Sequence, residues 1–150
     1  MKGTEMKTIC SGIFLSFLII LHLVTPVIGS SDDWVEYYRY NNGTIVLYNK
    51  VHMKNDIVQV WNKIVFSVVG REEYIQKMRH TGMSDIEWDK FSHTLILYEI
   101  DCKNRRSQIV SDIEYKTDGS VLLSRSSDEP NWTFIPPDTG VDILQKIVCK

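Results

Sequence analysis

Leu95-Ile96-Leu97-Tyr98-Glu99-Ile100-Asp101-Cys102-Lys103-Asn104-Arg105-Arg106 is the stretch around which this 150-residue chain is organised. It reads as a strand of aliphatic and aromatic residues that ends in a cysteine and a basic cluster. Ile96, Tyr98, Ile100 and Cys102 alternate onto one face, which makes that face core and turns Cys102 inward. Leu95, Leu97, Glu99 and Asp101 take the other face, which begins apolar and becomes acidic. Once an N-terminal leader is removed, Cys149 is the one partner left for Cys102. Their union would fasten the C-terminal segment to the middle of a sheet.

The leader is legible in residues 1–29. No charge occurs from Thr8 to Ser31, and Ile13 to Val24 is dense in Leu, Ile and Phe behind Lys2 and Lys7. Pro26 breaks the apolar run, and Val27-Ile28-Gly29 offers small residues for cleavage after Gly29 or Ser30. The uncharged stretch would also span a bilayer, but His22, Pro26 and the cleavage-like tail favour a signal peptide. Cys10 precedes the apolar core, so the chain is not expected to be a lipoprotein. The chain carries 17 basic and 19 acidic residues; losing Lys2, Lys7 and Glu5 leaves 15 against 18, a net charge of −3. Nothing in that balance points to nucleic acid. Two cysteines in an oxidising compartment make a disulfide the expected pairing.

Outward from the central strand, the pattern is antiparallel β. Trp34 to Tyr40 is aromatic-rich, and Asn41-Asn42-Gly43 signals a hairpin whose central residues both need positive φ. Strands follow from Thr44 to Met53 and from Ile57 to Phe66, joined by Lys54-Asn55-Asp56. Gly70 ends the strand pattern. Tyr74, Ile75 and Met78 predict a short helix over Arg71–Arg79. A polar loop through Gly82, Ser84 and Asp85 to Phe91 carries Trp88, which reads as an exposed aromatic among charges. Beyond the central strand, Arg105 to Tyr115 holds Ile109, Ile113 and Tyr115 in phase, and Asp118-Gly119 turns into Ser120–Ser124. Pro136-Pro137 excludes helix in the segment starting at Trp132. Asp138 or Thr139 can cap a last helix with Val141, Leu144 and Val148 on one stripe. The expected class is α+β: a single antiparallel sheet of about six strands, a short internal helix and a C-terminal helix, stapled by one disulfide.

Catalytic chemistry is hard to place on this chain. His52, His80 and His93 lie in separate elements without metal-ligand spacing. No nucleophile elbow or phosphate loop occurs, and the carboxylate clusters fall in loops. The expectation is no enzyme, no metal and no cofactor. Two candidate binding features remain: the basic knot Lys103, Arg105 and Arg106 beside the disulfide, and exposed aromatics, Trp88 among them. The knot equally reads as a solvated strand end, or as salt-bridge partner of Asp101 and Glu99. The abundant Tyr and Trp anchor interfaces or fill a thin core with equal ease.

With those residues placed, the chain resembles the bacterial surface-adhesin protein E family over residues 30–150. The resemblance rests on Trp34, Val58-Gln59-Val60-Trp61-Asn62-Lys63, Tyr98 to Arg106, Tyr115 with Asp118-Gly119, Trp132 to Thr139 and Val148-Cys149-Lys150. It implies a small exported domain with one antiparallel sheet, a helix and a single disulfide. The name-giving member is an outer-surface adhesin that binds host matrix and plasma proteins and can dimerise. The expected function is therefore an exported, non-enzymatic binding protein of the periplasm or cell surface. It would take a protein partner or a second copy and touch membrane only through its signal peptide. The alternative is a periplasmic inhibitor or regulator of an envelope enzyme.

Overall fold

A computed structural model describes residues 33–83, 86–127 and 129–150, without the side chains of Lys50 and Val51. The expected signal peptide over 1–29 and the loop residues Ser84 and Asp85 lie outside the described residues. The strands are β1 (Val35–Arg39), β2 (Ile45–Lys54), β3 (Ile57–Val65), β4 (Phe91–Asp101), β5 (Arg106–Lys116), β6 (Val121–Ser126) and β7 (Thr133–Phe134). The helices are α1 (Val68–His80), between β3 and β4, and α2 (Gly140–Val148). One sheet runs in sequence order from β1 to β6, every neighbour antiparallel; β7 joins the far end of β5 at Arg106 and Ser107. The expected α+β architecture is what forms, with the two-residue β7 added.

Turn chemistry sets the order. Asn55 and Asp56 carry φ of 52° and 64°, so the β2–β3 hairpin is the one with two left-handed central residues. At Asn41-Asn42-Gly43 only Gly43 is left-handed (φ 87°), which corrects the expectation of two. There, Tyr40 N donates to Thr44 O and Gly43 N to Tyr40 O, both at 2.9 Å. The Asn42 amide oxygen accepts from Thr44 N at 3.0 Å and closes the loop. Asp118-Gly119 repeats the device: Lys116 N reaches Ser120 O, Gly119 N reaches Lys116 O, and the Asp118 carboxylate accepts from Ser120 N. Both are three-residue loops with a glycine in the left-handed position.

Helix α1 starts three residues earlier than its periodicity predicts, and Gly70 sits inside it. Ser67 caps the helix: its hydroxyl accepts from Gly70 N at 3.0 Å and donates to Asn42 O at 2.6 Å. A Cβ on Gly70 would stand 2.1 Å from the Thr44 hydroxyl. The glycine is thus a point of close approach between helix and turn. At the other end Gly82 N bonds Arg79 O and Met83 N bonds Met78 O, with Gly82 at φ 90°. That is a Schellman stop. In α2, Thr139 is the cap, accepting from Asp142 N and donating to Pro136 O.

Register shows which face holds the core. Val58 pairs with Ile100, Val60 with Tyr98, Asn62 with Ile96 and Ile64 with Thr94, so these side chains share one face. Leu144 and Val148 of α2 cover its Val58–Ile100 end, with Ile135 between. Helix α1 reaches its opposite end, where Ile75, Trp88 and Phe91 form a second cluster with Leu123 at its border. Both helices therefore pack on the same face. The other face carries half-buried Trp61, Leu95, Leu97 and Ile113, and a polar row in which Gln59 and Gln108 donate to Glu99. Ile109, Ile113 and Tyr115 do not share a phase. A bulge between Ile109 and Ser111 leaves Ile109 opposite Tyr98 while Ile113 and Tyr115 move to the other face.

Candidate functional site

Cys102 is bonded to Cys149 with their Cα atoms 5.5 Å apart, joining the β4–β5 turn to the end of α2. Cys102 is the first residue of that turn, not the last of the strand, and its N–H donates to Asp56 O. Buried Asp101 holds the turn from within: its carboxylate accepts from Asn104 N at 2.9 Å, Asn104 Nδ2 at 2.8 Å and Arg106 Nη2 at 3.1 Å. Those bonds, Asn104's foremost, depress its pKa. Arg105, at φ 52°, sends its guanidinium to buried Asp142 at 2.8 Å. The Asp142 carboxyl, which also accepts from Lys146, is likewise held below its ordinary range.

The basic knot therefore divides. Arg105 ties the turn to α2; Arg106 pairs with Asp101 and lies over Trp132, 5.8 Å from the ring centre. Glu99 takes amides instead of a cation. Lys103 and Arg106 are both exposed, and of the three only Lys103 has, among the described residues, no ion pair. Trp88 overturns its expected exposure. It is fully buried, its indole N–H donating to Met83 O at 2.6 Å and its ring packed edge-on to Tyr74 and Phe91. The short 3-10 turn Trp88–Lys90 sends Asp89 and Lys90 outward and the indole inward.

A groove crosses the helix-bearing face between α1 and α2. Three depressions of about 400, 250 and 410 Å³ share walls. Tyr40 and Ile64 separate the first from the second; Tyr98, Thr139 and Val141 separate the second from the third. Tyr37, Tyr38, Tyr40 and Tyr98 crowd the middle one, over a floor of Asn62, Ile64 and Ile96. Burial pushes the Tyr98 phenol up to about 12, and the Tyr40 phenol sits close enough to raise those of Tyr37 and Tyr98 further. Exposed Phe134 and Ile109 line the third. Sequence reading left these tyrosines unassigned between core and interface. Its one usable signal was Asn62, polar yet in phase with Val58 and Val60; Asp112 and Glu114 turn inward only through the β5 bulge.

Under α1 the floor is charged. Tyr74 donates to Glu114 at 2.9 Å, and Arg125 reaches both Glu114 and Asp112. Glu114 is fully buried; burial first, then Asp112, hold its pKa above 4.5. A carboxyl raised on folding stabilises the native state below its unfolded pKa, and that contribution is lost as pH rises through the folded value. Glu114→Gln keeps an acceptor for Tyr74 and Arg125. It is expected to raise the melting temperature by a few degrees at neutral pH and to leave it unchanged near pH 4. A lower neutral-pH melting temperature would show that Arg125 needs the charge.

Fold and site together define a disulfide-clamped single-sheet domain with a tyrosine-lined groove and, among the described residues, no cluster of three metal-ligating side chains. The chain belongs to the surface-adhesin protein E family, whose model matches residues 34–150. Membership supports a surface adhesin-like role and an exported or cell-surface location. No curated protein and no solved structure matches the chain.

Proposed function

We propose that this chain is an exported, non-enzymatic binding protein that holds a protein partner in the groove between its helices. Residues 1–29 act as a signal peptide removed on export, and the domain works in the periplasm or at the cell surface without a lipid anchor. The groove carries the reading: its three depressions suit an extended segment better than a small substrate. Aromatics with little rotamer freedom to lose, such as Tyr40 and Phe134, are the side chains on which interfaces concentrate their energy. Self-association, which the family reading allows, would use the helix-free face around Trp61 and Leu97.

The test is binding of the purified mature domain to immobilised matrix proteins, compared with Tyr40→Ala, Phe134→Ala and Lys103→Glu. Saturable binding weakened about tenfold or more by the two groove variants, and unchanged by Lys103→Glu, is the expected result. Indifference to both groove variants would reject the groove. The second reading, an inhibitor or regulator of an envelope enzyme, draws on the exposed Lys103-Asn104 turn. Disulfide, Asp101 and Arg105 lock that turn as a rigid inhibitory loop must be locked. Inhibition of an envelope enzyme that Lys103→Glu abolishes would favour it.

A further inference from the structure

The floor of the groove's middle compartment holds a buried acceptor without a donor. Among the described residues Asn62 Oδ1 is the unpartnered buried side-chain atom in its lining, while Thr94 Oγ1, Asp112 Oδ1 and Glu114 Oε2 lie beyond it on the same face. Asn62 is 96% buried by its 4% exposure, lines the compartment, and has already spent an N–H on the Tyr37 hydroxyl at 2.9 Å. An amide oxygen left unpaired at such a site costs free energy until a donor reaches it. The Tyr40 and Tyr98 hydroxyls, which can accept as well as donate, line the same space, and their rings add negative π faces. Asp112 and Glu114 share the single cation Arg125, which leaves an excess negative charge beneath the compartment when both are ionised.

We infer that this compartment receives a primary ammonium on an alkyl stem, the side chain of a lysine presented by the protein partner; the inference rests on the groove reading above. An ammonium offers three donors and no acceptor, enough to serve the Asn62 oxygen and phenol oxygens together. Its stem would lie along Ile64 and Ile96 while the charged head meets the Asn62 oxygen and the tyrosine rings. A compartment of about 250 Å³ suits one such side chain. The first turn of α2 borders the same space with its positive dipole end, and Asp142 in that turn is already engaged by Arg105 and Lys146, so the charged head keeps to the Asn62 side of the compartment.

The probes are acetyl-Gly-Lys-Gly-amide, its norleucine counterpart and cadaverine, titrated into the mature domain and followed by amide chemical shifts. The lysine peptide is expected to shift residues around Asn62 and Tyr98 saturably, with a Kd on the order of 1 mM. Norleucine, equal in stem but uncharged, should bind at least about tenfold more weakly. Tyr40→Ala, at a half-exposed site, should weaken the lysine peptide to the same degree while leaving the melting temperature within a few degrees; Asn62→Leu provides a second variant. Equal binding of the norleucine peptide, or no saturable shift, overturns the inference. Cadaverine binding with the lysine peptide silent overturns the protein source. Matrix binding that needs Tyr40 while the lysine peptide stays silent would reject the lysine and leave the groove reading standing.

Discussion

Cys149→Ser is expected to lower the melting temperature by on the order of 15 °C, the largest effect of any single change to the clamp. The two cysteines stand 47 residues apart. Closing a loop of that length restricts the unfolded chain by about 4 kcal/mol in the entropic model. A small domain has only about 5–15 kcal/mol in total. Helix α2 has nine residues, too few to persist without docking. Its Leu144 and Val148 would still seek Val58, Val60 and Ile100, and Arg105 would still reach Asp142, so the variant should fold at low temperature. Thermal melts with and without reductant check this: reductant should bring the parent protein down to the variant and leave the variant where it is. A shift of only a degree or two would mean that side-chain packing and the Arg105–Asp142 pair hold α2 unaided.

Trp88→Ala should cost about 3–5 kcal/mol, comparable with the disulfide, through the cavity left by a fully buried indole. Tyr74, Phe66 and Phe91 surround the same space, with Phe66 and Tyr74 centred 4.9 Å apart, and cannot all close inward without leaving their rotamers. The Met83 carbonyl would also lose its indole donor. Denaturant unfolding monitored by circular dichroism measures the loss. A near-neutral Trp88→Ala that weakened partner binding would restore the indole to the surface role first expected of it.

What the sequence made legible was what local rules govern. Alternation in β3 and β4, the turn dipeptides and the two remaining cysteines sufficed for the sheet and its clamp, because each rests on a short-range preference or on counting. The α1 boundary was missed because Gly70 reads as a breaker, whereas a close approach to Thr44 is what demands it. The β5 phase was missed because one extra residue near Val110 reverses every side chain after it, and no composition signal marks a bulge. Trp88 was misplaced because its charged neighbours describe the opposite side of a tight turn. The groove could not be foreseen, since it depends on two helices distant in sequence landing on one face and leaving Tyr40 and Tyr98 uncovered between them. Asn62, inward in phase yet polar, was the residue that hinted at it.

The two walls of that groove are built on different footings. Helix α2 is covalently moored and tied at its first turn to the β4–β5 turn by the Arg105–Asp142 pair. Helix α1 rests on aromatic packing, its Ser67 cap and the Arg71 bonds to the backbone carbonyls of Phe91 and Asp89. Local opening follows the least anchored element, so amide exchange will run faster through α1 than through α2. On that expectation the groove would work as a vice with one fixed jaw and one that breathes. An occupant wider than the resting gap would enter by lifting α1, its affinity lowered by the free energy of that opening.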